Sequence, residues 1–235
     1  PTQGQTTVHP MTEQTEPSAY LAHSTWGALG ADAALRLYGS GMVPMAGESG
    51  RVDWVLYVPG AMLATDQIHL PRSLRKLLRK APFDVTSDTA FTEVVDGCAD
   101  PDRPGGWISP EIRETARALH RAGRAHSIEC WDAAGLAGGL YGIALGGLFI
   151  GESMFTARSN AGKVAFAHLA GQLIAGGFVE LDAQMPSTNM ARYGARPLMS
   201  NSYQLRRAVA MNKPAAWPAA EAGRQALDRL IAPAG

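Results

Sequence analysis

Apolar residues recur along the chain with two different periods, and each period predicts a different kind of element. Around residues 70–80, leucines three and four apart form one face of a predicted helix, and Pro71 and Pro82 suit its first turn and its end. Glycine and proline signals limit the other predicted helices in the same way. These lie at residues 31–38, 89–99, 109–123 and 160–177, and in two pieces of 203–235 separated by a proline-broken loop.

Short apolar stretches between turn signals predict strands. Residues 126–132, 136–145 and 148–155 follow one another with glycine-containing turns between them, so we expect three consecutive antiparallel strands. Strands grouped together and flanked by helices predict a mixed α+β fold with a largely antiparallel sheet. The other predictions are strands at 57–64 and 178–184, a loop at 40–54 and a loose polar tail at 1–20 without the apolar core of a signal peptide.

One apolar stretch is long enough to be compared with a membrane span. Residues 133–151 carry no charge over nineteen positions, but seven of those positions are glycine. Each glycine costs a helix about 0.5–1 kcal/mol relative to alanine. Asp132 and Glu152 bound the stretch closely, and no basic residues flank it. We therefore interpret it as buried strands with turns and expect no contact with a membrane.

Composition and motif spacing mainly exclude classes of binding site and of catalysis. The 235 residues have a formal net charge of zero, so a polyanionic partner needs a local patch. The histidines have no metal-ligand spacing, and we expect no metal. Cys98 and Cys130 also lack such spacing, and we interpret them as buried thiols in a reducing compartment, the cytoplasm. Phosphate-binding GxxxxGK[ST], dinucleotide GxGxxG and nucleophile GxSxG motifs do not occur in the sequence.

The helix near residue 75 carries a basic stripe opposite its leucines. No acidic residue between 70 and 80 can neutralise this stripe at helical spacing. A solvated amphipathic face and a phosphate-binding face both fit the pattern, and the second is plausible in a neutral protein. The stripe consists of Arg72, Arg75, Lys76, Arg79 and Lys80.

Polar residues interrupt two apolar strands. Glu152 lies within LFIGESMF, and an ionised carboxylate is costly to bury without a partner. Asp182 and Gln184 are two residues apart in FVELDAQ, so strand alternation predicts that they share a face. Either these strand ends reach solvent, or the three groups converge on a cleft with a polar mouth.

Four segments carry a resemblance to a known family. GGWISPEI, RAGRAHSIECW, GLAGGLYGIALGGLFIGESMF and GGFVELDAQ resemble the bacterial leucyl/phenylalanyl-tRNA-protein transferases, without gaps from about Trp26 to Tyr203. The resemblance implies a small N-terminal α/β domain at 1–58 and a C-terminal domain at 59–235 like that of the GNAT acetyltransferases. It also implies transfer of an aminoacyl group from aminoacyl-tRNA to the α-amine of a protein that begins with Arg or Lys. Because the tRNA ester is already activated, no cofactor is expected.

The resemblance also assigns roles to individual residues. Asp182 and Gln184 match residues proposed to orient or deprotonate the incoming amine, and Glu152 matches a carboxylate beside the cleft. Trp107 matches a tryptophan that stacks near the terminal adenosine. The basic stripe lies where the family has its tRNA-facing helix. The other expected substrate-binding residues are Ser153 of the GES motif and, in the apolar donor pocket, Leu140, Phe149, Met154 and Phe166.

The sequence departs from the family at several positions. Met45 stands where the family has a second stacking tryptophan, so we keep it among the substrate-binding residues. Phe166 stands where leucine is common, which predicts a smaller or differently shaped pocket. The loop at 187–194 also differs. Two alternatives therefore stay open: a relative that aminoacylates a small-molecule amine from the same donor, and a non-catalytic tRNA-binding protein.

Overall fold

The computed structural model describes residues 18–102 and 106–232. Within these residues the chain forms two sheets and eight α-helices, so the predicted mixed α+β class is confirmed. The strands are β1 (Ser18–Trp26), β2 (Val43–Ala46), β3 (Arg51–Val58), β4 (Gly60–Ala64), β5 (Asp84–Ser87), β6 (Ala125–Asp132), β7 (Gly135–Leu145), β8 (Leu148–Thr156), β9 (Glu180–Gln184) and β10 (Arg196–Leu198). The helices are α1 (Ala31–Gly39), α2 (Arg72–Leu78), α3 (Phe91–Cys98), α4 (Pro110–Arg121), α5 (Ala161–Ala175), α6 (Thr188–Ala191), α7 (Ser200–Met211) and α8 (Ala220–Ile231).

Local signals in the sequence mark the start of α4 and the end of α5. Ser109 precedes α4, and its side chain accepts a hydrogen bond from the Ile112 amide. Pro110 occupies the first position, where a missing N–H costs nothing. Gly177 follows α5 with a φ of 75°, a conformation that glycine adopts without steric cost.

A three-stranded and a seven-stranded sheet make up the β-structure of the described residues. The small sheet has the order β1-β3-β2, and the large one has the order β10-β4-β9-β8-β7-β6-β5. The predicted strands β6, β7 and β8 are consecutive and antiparallel. Among the described strands only β8 and β9 pair in parallel, so the prediction of a largely antiparallel sheet is confirmed.

Three local predictions are wrong. Residues 40–54, predicted as a loop, contain β2 and the start of β3, because these strands gain their pairing only from each other and from β1. The strand predicted at 57–64 is divided at Pro59, which has no N–H to continue a ladder, and its halves belong to different sheets. The last residues of the predicted tail form the start of β1; residues 1–17 lie outside the described part.

The large sheet separates two apolar cores. Side chains alternate between its faces, so Phe149 and Ile150 enter different cores. The first core contains α3, α4, α7 and the small sheet, and the second contains α5, α2 and α8. The predicted division at 58/59 falls between the two sheets and stays a prediction. The first core joins Trp54 from one side of that division to Tyr141 from the other.

Candidate active site

The site lies where two neighbouring strands separate. β8 and β9 pair in parallel only from Leu148 with Glu180 to Ile150 with Asp182. Beyond that point β8 continues to Thr156 without a partner in β9. Across this gap the Gln184 side-chain amide donates a hydrogen bond of 2.8 Å from Nε2 to Oε1 of Glu152.

Both partners of this bond lie at β-bulges. The β7–β8 register runs from Tyr141 with Ser153 to Gly142 with Gly151, which leaves Glu152 as the extra residue. The β4–β9 register jumps in the same way and leaves out residue 183, next to Gln184. Bulges redirect side chains and increase twist. Because of the first bulge, the alternation changes phase along β8.

Gln184 has a strained backbone. Its φ is 62°, a left-handed conformation that costs a residue with a side chain about 1 kcal/mol or more. A side-chain hydrogen bond compensates locally, since the Gln184 amide N–H donates to Oδ1 of Asp182 at 2.8 Å. Asp182 therefore stabilises the strained backbone of Gln184.

Asp182 is fully buried and saturated with partners. The Tyr203 hydroxyl lies 2.8 Å from both carboxylate oxygens, and Arg207 forms an ion pair with Oδ2. Arg207 is itself buried, donates to the carbonyl of Tyr38 and stacks over the Tyr203 ring. Burial lowers the pKa of Arg207 to about 10, so the guanidinium stays charged at neutral pH. Asp182 is thus fixed as a structural anchor beneath Gln184.

Glu152 has a different environment. Its carboxyl is buried, and desolvation raises its pKa to about 8, with the nearby Tyr38 hydroxyl and the Gln184 amide opposing part of the shift. Its second oxygen, Oε2, is buried and has no hydrogen-bond partner in the described part of the chain. The Glu152 charge also contributes to the raised pKa of the Tyr57 and Tyr141 hydroxyls. Glu152 is therefore the titratable group of the site near neutral pH.

The predicted adenosine-stacking residues are neighbours. The Trp107 carbonyl accepts a hydrogen bond of 2.9 Å from the amide N–H of Ala46, so the segment with Met45 runs beside the segment with Trp107. Both side chains are half-buried against the first core. The Tyr57 hydroxyl contacts Met45 Sδ at 3.7 Å, which connects this pair to the surroundings of Glu152.

The four predicted pocket residues share the second core. Leu140 pairs with Met154 across β7 and β8, and the Phe166 ring lies 4.0 Å from the ring of Tyr193. Phe149 is fully buried against Phe178 and Trp217. These residues thus lie on the face of the sheet opposite Tyr141. Ser153 is half-buried and pairs with Tyr141.

The basic stripe on α2 is accessible. Four of its cations are exposed and Arg75 is half-buried, whereas Leu74 on the other face is buried. Among the described residues the five cations form no ion pair, and Arg79 donates a hydrogen bond of 3.0 Å to the carbonyl of Ile231.

Three residues of the site were not predicted from the sequence. Tyr38, Tyr203 and Arg207 surround the carboxyl groups of Glu152 and Asp182, but they lie on helices far from these strands in the chain. No local pattern distinguishes them from ordinary helix residues.

The apolar stretch at residues 133–151 contains β7, the turn that follows it and the first part of β8. No helix of the described chain has the length and apolar character to cross a membrane.

These features define an enzyme-like site in a mixed α+β protein, in which a buried carboxyl and an amide can orient a polar reactant. The family model described as "Leucyl/phenylalanyl-tRNA protein transferase" matches residues 62–208. The chain belongs to this family and is an aminoacyltransferase.

The comparisons with curated relatives cover most of the chain. The leucyl/phenylalanyl-tRNA–protein transferase of Salinibacter ruber is 42% identical over 202 residues, which are 85% of this chain and 88% of the relative. The enzyme of the same name from Aromatoleum aromaticum is 43% identical over 78% of this chain and 77% of its own. The one from Maricaulis maris is 43% identical over 77% and 86%. A solved structure of a conserved Staphylococcus epidermidis protein covers 79% of this chain and 70% of its own, with 9% identity and a TM-score of 0.38.

Proposed function

We propose that this protein transfers an apolar aminoacyl group, leucyl or phenylalanyl in kind, from charged tRNA to the N-terminal α-amine of a protein that begins with Arg or Lys. The observation that carries the proposal is the Gln184–Glu152 hydrogen bond across the gap between β8 and β9. It holds an amide donor and a protonatable carboxyl side by side. The names of the relatives support the donor and the protein acceptor.

The reaction needs a nucleophilic amine and a correctly placed ester. The amine nitrogen attacks the ester carbonyl, the bond to the ribose oxygen breaks, and one proton passes from the amine to that oxygen. Positioning alone supplies a large part of such a rate enhancement. One N–H of the Gln184 amide is used by Glu152, and the other can donate to the carbonyl oxygen as negative charge develops there.

Glu152 is the group that receives and returns the proton in this proposal. Its pKa of about 8 is close to that of a protein α-amine, which favours proton exchange between them. Oε2, which lacks a partner, is the acceptor atom. Asp182 acts through Gln184 as a positioning residue, because its own oxygens are occupied by Tyr203, Arg207 and the Gln184 amide N–H.

The remaining predicted residues bind different parts of the donor, the aminoacyl-tRNA. Trp107 and Met45 hold the terminal adenosine, and Ser153 lies beside the reacting groups on β8. The second-core residues receive the side chain of the donor amino acid by local opening of that core, and the stripe on α2 binds tRNA phosphates. The cytoplasm, where charged tRNA occurs, is the proposed location. The donor pocket consists of Leu140, Phe149, Met154 and Phe166.

A small-molecule amine is the second candidate acceptor. The observation that favours it is the stretch at 187–194, which departs from the family pattern and forms α6 and the following turn. In this alternative the donor and the site chemistry are unchanged, and only the acceptor differs.

Three substrates distinguish these functions. Purified protein is incubated with leucyl- or phenylalanyl-tRNA and with a peptide that begins with Arg, the same peptide beginning with Ala, or a panel of small amines. Transfer to the Arg peptide alone is the expected result. Transfer only to small amines would show that the acceptor is a small molecule and not a protein N-terminus. Binding of tRNA without any loss of the ester would contradict catalysis.

A further inference from the structure

A second cleft lies beside the basic helix, outside the gap between β8 and β9. Its volume is about 370 Å³. Leu74 and Leu77 of α2 form one wall, and Lys163 in the first turn of α5 lies on another. Arg192 and Tyr193, at the end of α6, complete it. The cleft is therefore shared by three segments that are distant in sequence.

These three segments contain no acidic residue. Residues 67–83, 157–179 and 183–220 all lack Asp and Glu, although the whole chain has as many acids as Lys and Arg. Lys163 and Arg192 are both exposed. Among the described residues the only recorded polar contact of Lys163 Nζ is with the amide oxygen of Asn160, at 3.0 Å, and Arg192 forms no ion pair. A neutral protein thus has a local positive cleft here.

Two contacts connect this cleft to the predicted donor pocket. The Tyr193 ring, which lines the cleft, packs against the Phe166 ring with 4.0 Å between the ring centroids. Gly162, next to Lys163, packs so closely against Met154 that an added Cβ would lie 3.0 Å from its sulfur. Met154 follows Glu152 by two residues on β8. A ligand in the cleft is therefore next to residues that contact Phe166 and Met154 of the predicted donor pocket.

We propose that Lys163 and Arg192 bind a backbone phosphate near the 3′ end of the aminoacyl-tRNA, so that the tRNA contact extends from α2 across this cleft to α6. The inference rests on the proposed function and adds a second phosphate contact to it. A phosphodiester fits the chemistry, because lysine supplies a point charge and arginine a planar fork of donors for phosphate oxygens. The absence of acids in all three lining segments argues against a cationic ligand.

The test compares donors with and without phosphate. The variant Lys163→Gln/Arg192→Gln removes both charges at similar length, and Arg121→Gln/Arg124→Gln, at the exposed end of α4, is the matched control. With aminoacyl-tRNA we expect the Lys163/Arg192 variant to lose about tenfold in kcat/KM, mainly through KM. With 3′-aminoacyl-adenosine, which has no phosphate, it should remain within twofold of the wild type. The control should follow the wild type with both donors.

Binding of deacylated tRNA gives a readout that does not need catalysis. The slope of the logarithm of affinity against the logarithm of salt concentration should decrease by about one in the Lys163/Arg192 variant, because each lost phosphate contact removes about 0.7–0.9. An unchanged slope, or equal losses with both donors, overturns the proposal. If the wild type transfers from neither donor, the proposed function fails, while the salt slope still decides whether the cleft binds tRNA phosphate.

Discussion

Gln184 donates a hydrogen bond of 2.8 Å to Glu152 across the point where β8 and β9 stop pairing, and both ends of the bond lie at bulges. The bulges turn the two side chains toward each other, so their relative position depends on register irregularities in two strands. Asp182 fixes one end of the bond through the Gln184 amide N–H. Burial of Glu152 then determines which protonation state the site prefers.

The first prediction concerns stability and pH. Burial raises the pKa of Glu152 from its ordinary 4.5 to about 8, so folding takes up a proton between these values. The free energy of unfolding should therefore fall as pH rises through this window, by up to about 1.4 kcal/mol per pH unit. Urea unfolding from pH 5 to 8.5 should show that the free energy of unfolding of the Glu152→Gln variant increases relative to that of the wild type as pH rises. Parallel pH profiles of the two proteins would contradict the buried, titrating carboxyl.

The second prediction concerns the rate of transfer. If Glu152 accepts a proton from the amine, the single-turnover rate should rise with pH to a plateau with an apparent pKa near 8. The α-amine titrates in a similar range, so Glu152→Gln measured with the same acceptor serves as the reference. The variant should be at least tenfold slower and should retain only the titration of the acceptor. An equal rate in both proteins would remove Glu152 from proton transfer.

The third prediction separates anchoring from chemistry at Asp182. Asp182→Asn leaves Arg207 buried without its anion and should cost about 3–5 kcal/mol of stability. Arg207→Met in the same chain removes the unpaired charge and should recover much of that loss. Both variants should transfer more slowly while donor binding is kept, because a neutral amide oxygen accepts the hydrogen bond of the Gln184 N–H more weakly than a carboxylate does. A double variant that is stable and fully active would limit Asp182 to a role in folding.

The fourth prediction tests the stripe on α2. Arg75→Glu/Arg79→Glu should weaken tRNA binding at least tenfold and decrease its salt dependence by about two. Arg121→Glu/Arg124→Glu is the control, since it makes the same charge change at the end of α4. Binding curves over a salt series measure both effects. The stripe has no role in tRNA binding if the two double variants behave alike.

The fifth prediction concerns the size of the donor side chain. Phe166 packs against Tyr193 in the second core, so Phe166→Leu should open space there at a cost of about 1–2 kcal/mol. The ratio of kcat/KM for phenylalanyl-tRNA to that for leucyl-tRNA should then increase. Phe91→Leu, which removes a ring stacked on His120 in the first core, controls for lost stability alone. The same change in ratio in both variants would argue against a pocket at Phe166.

Local patterns were sufficient for most helices and for the central antiparallel strands. The Ser109–Pro110 start of α4 and the glycine turns around β7 are contained in short stretches of chain, because capping and turn formation depend on adjacent residues. The small sheet was missed in part. β2 has four residues and little signal of its own, and it exists through its pairing with β3.

The sequence by itself determined the fold class, most of the helices, the central antiparallel strands, the basic face of α2 and the chemical identity of Glu152, Asp182 and Gln184. Only the tertiary structure decided that Asp182 is saturated by Tyr203 and Arg207, and that Glu152 is the carboxyl left to titrate. The physical reason is that a pKa and a hydrogen bond depend on which groups are near in space. Those groups come from helices more than a hundred residues earlier and about twenty residues later in the chain.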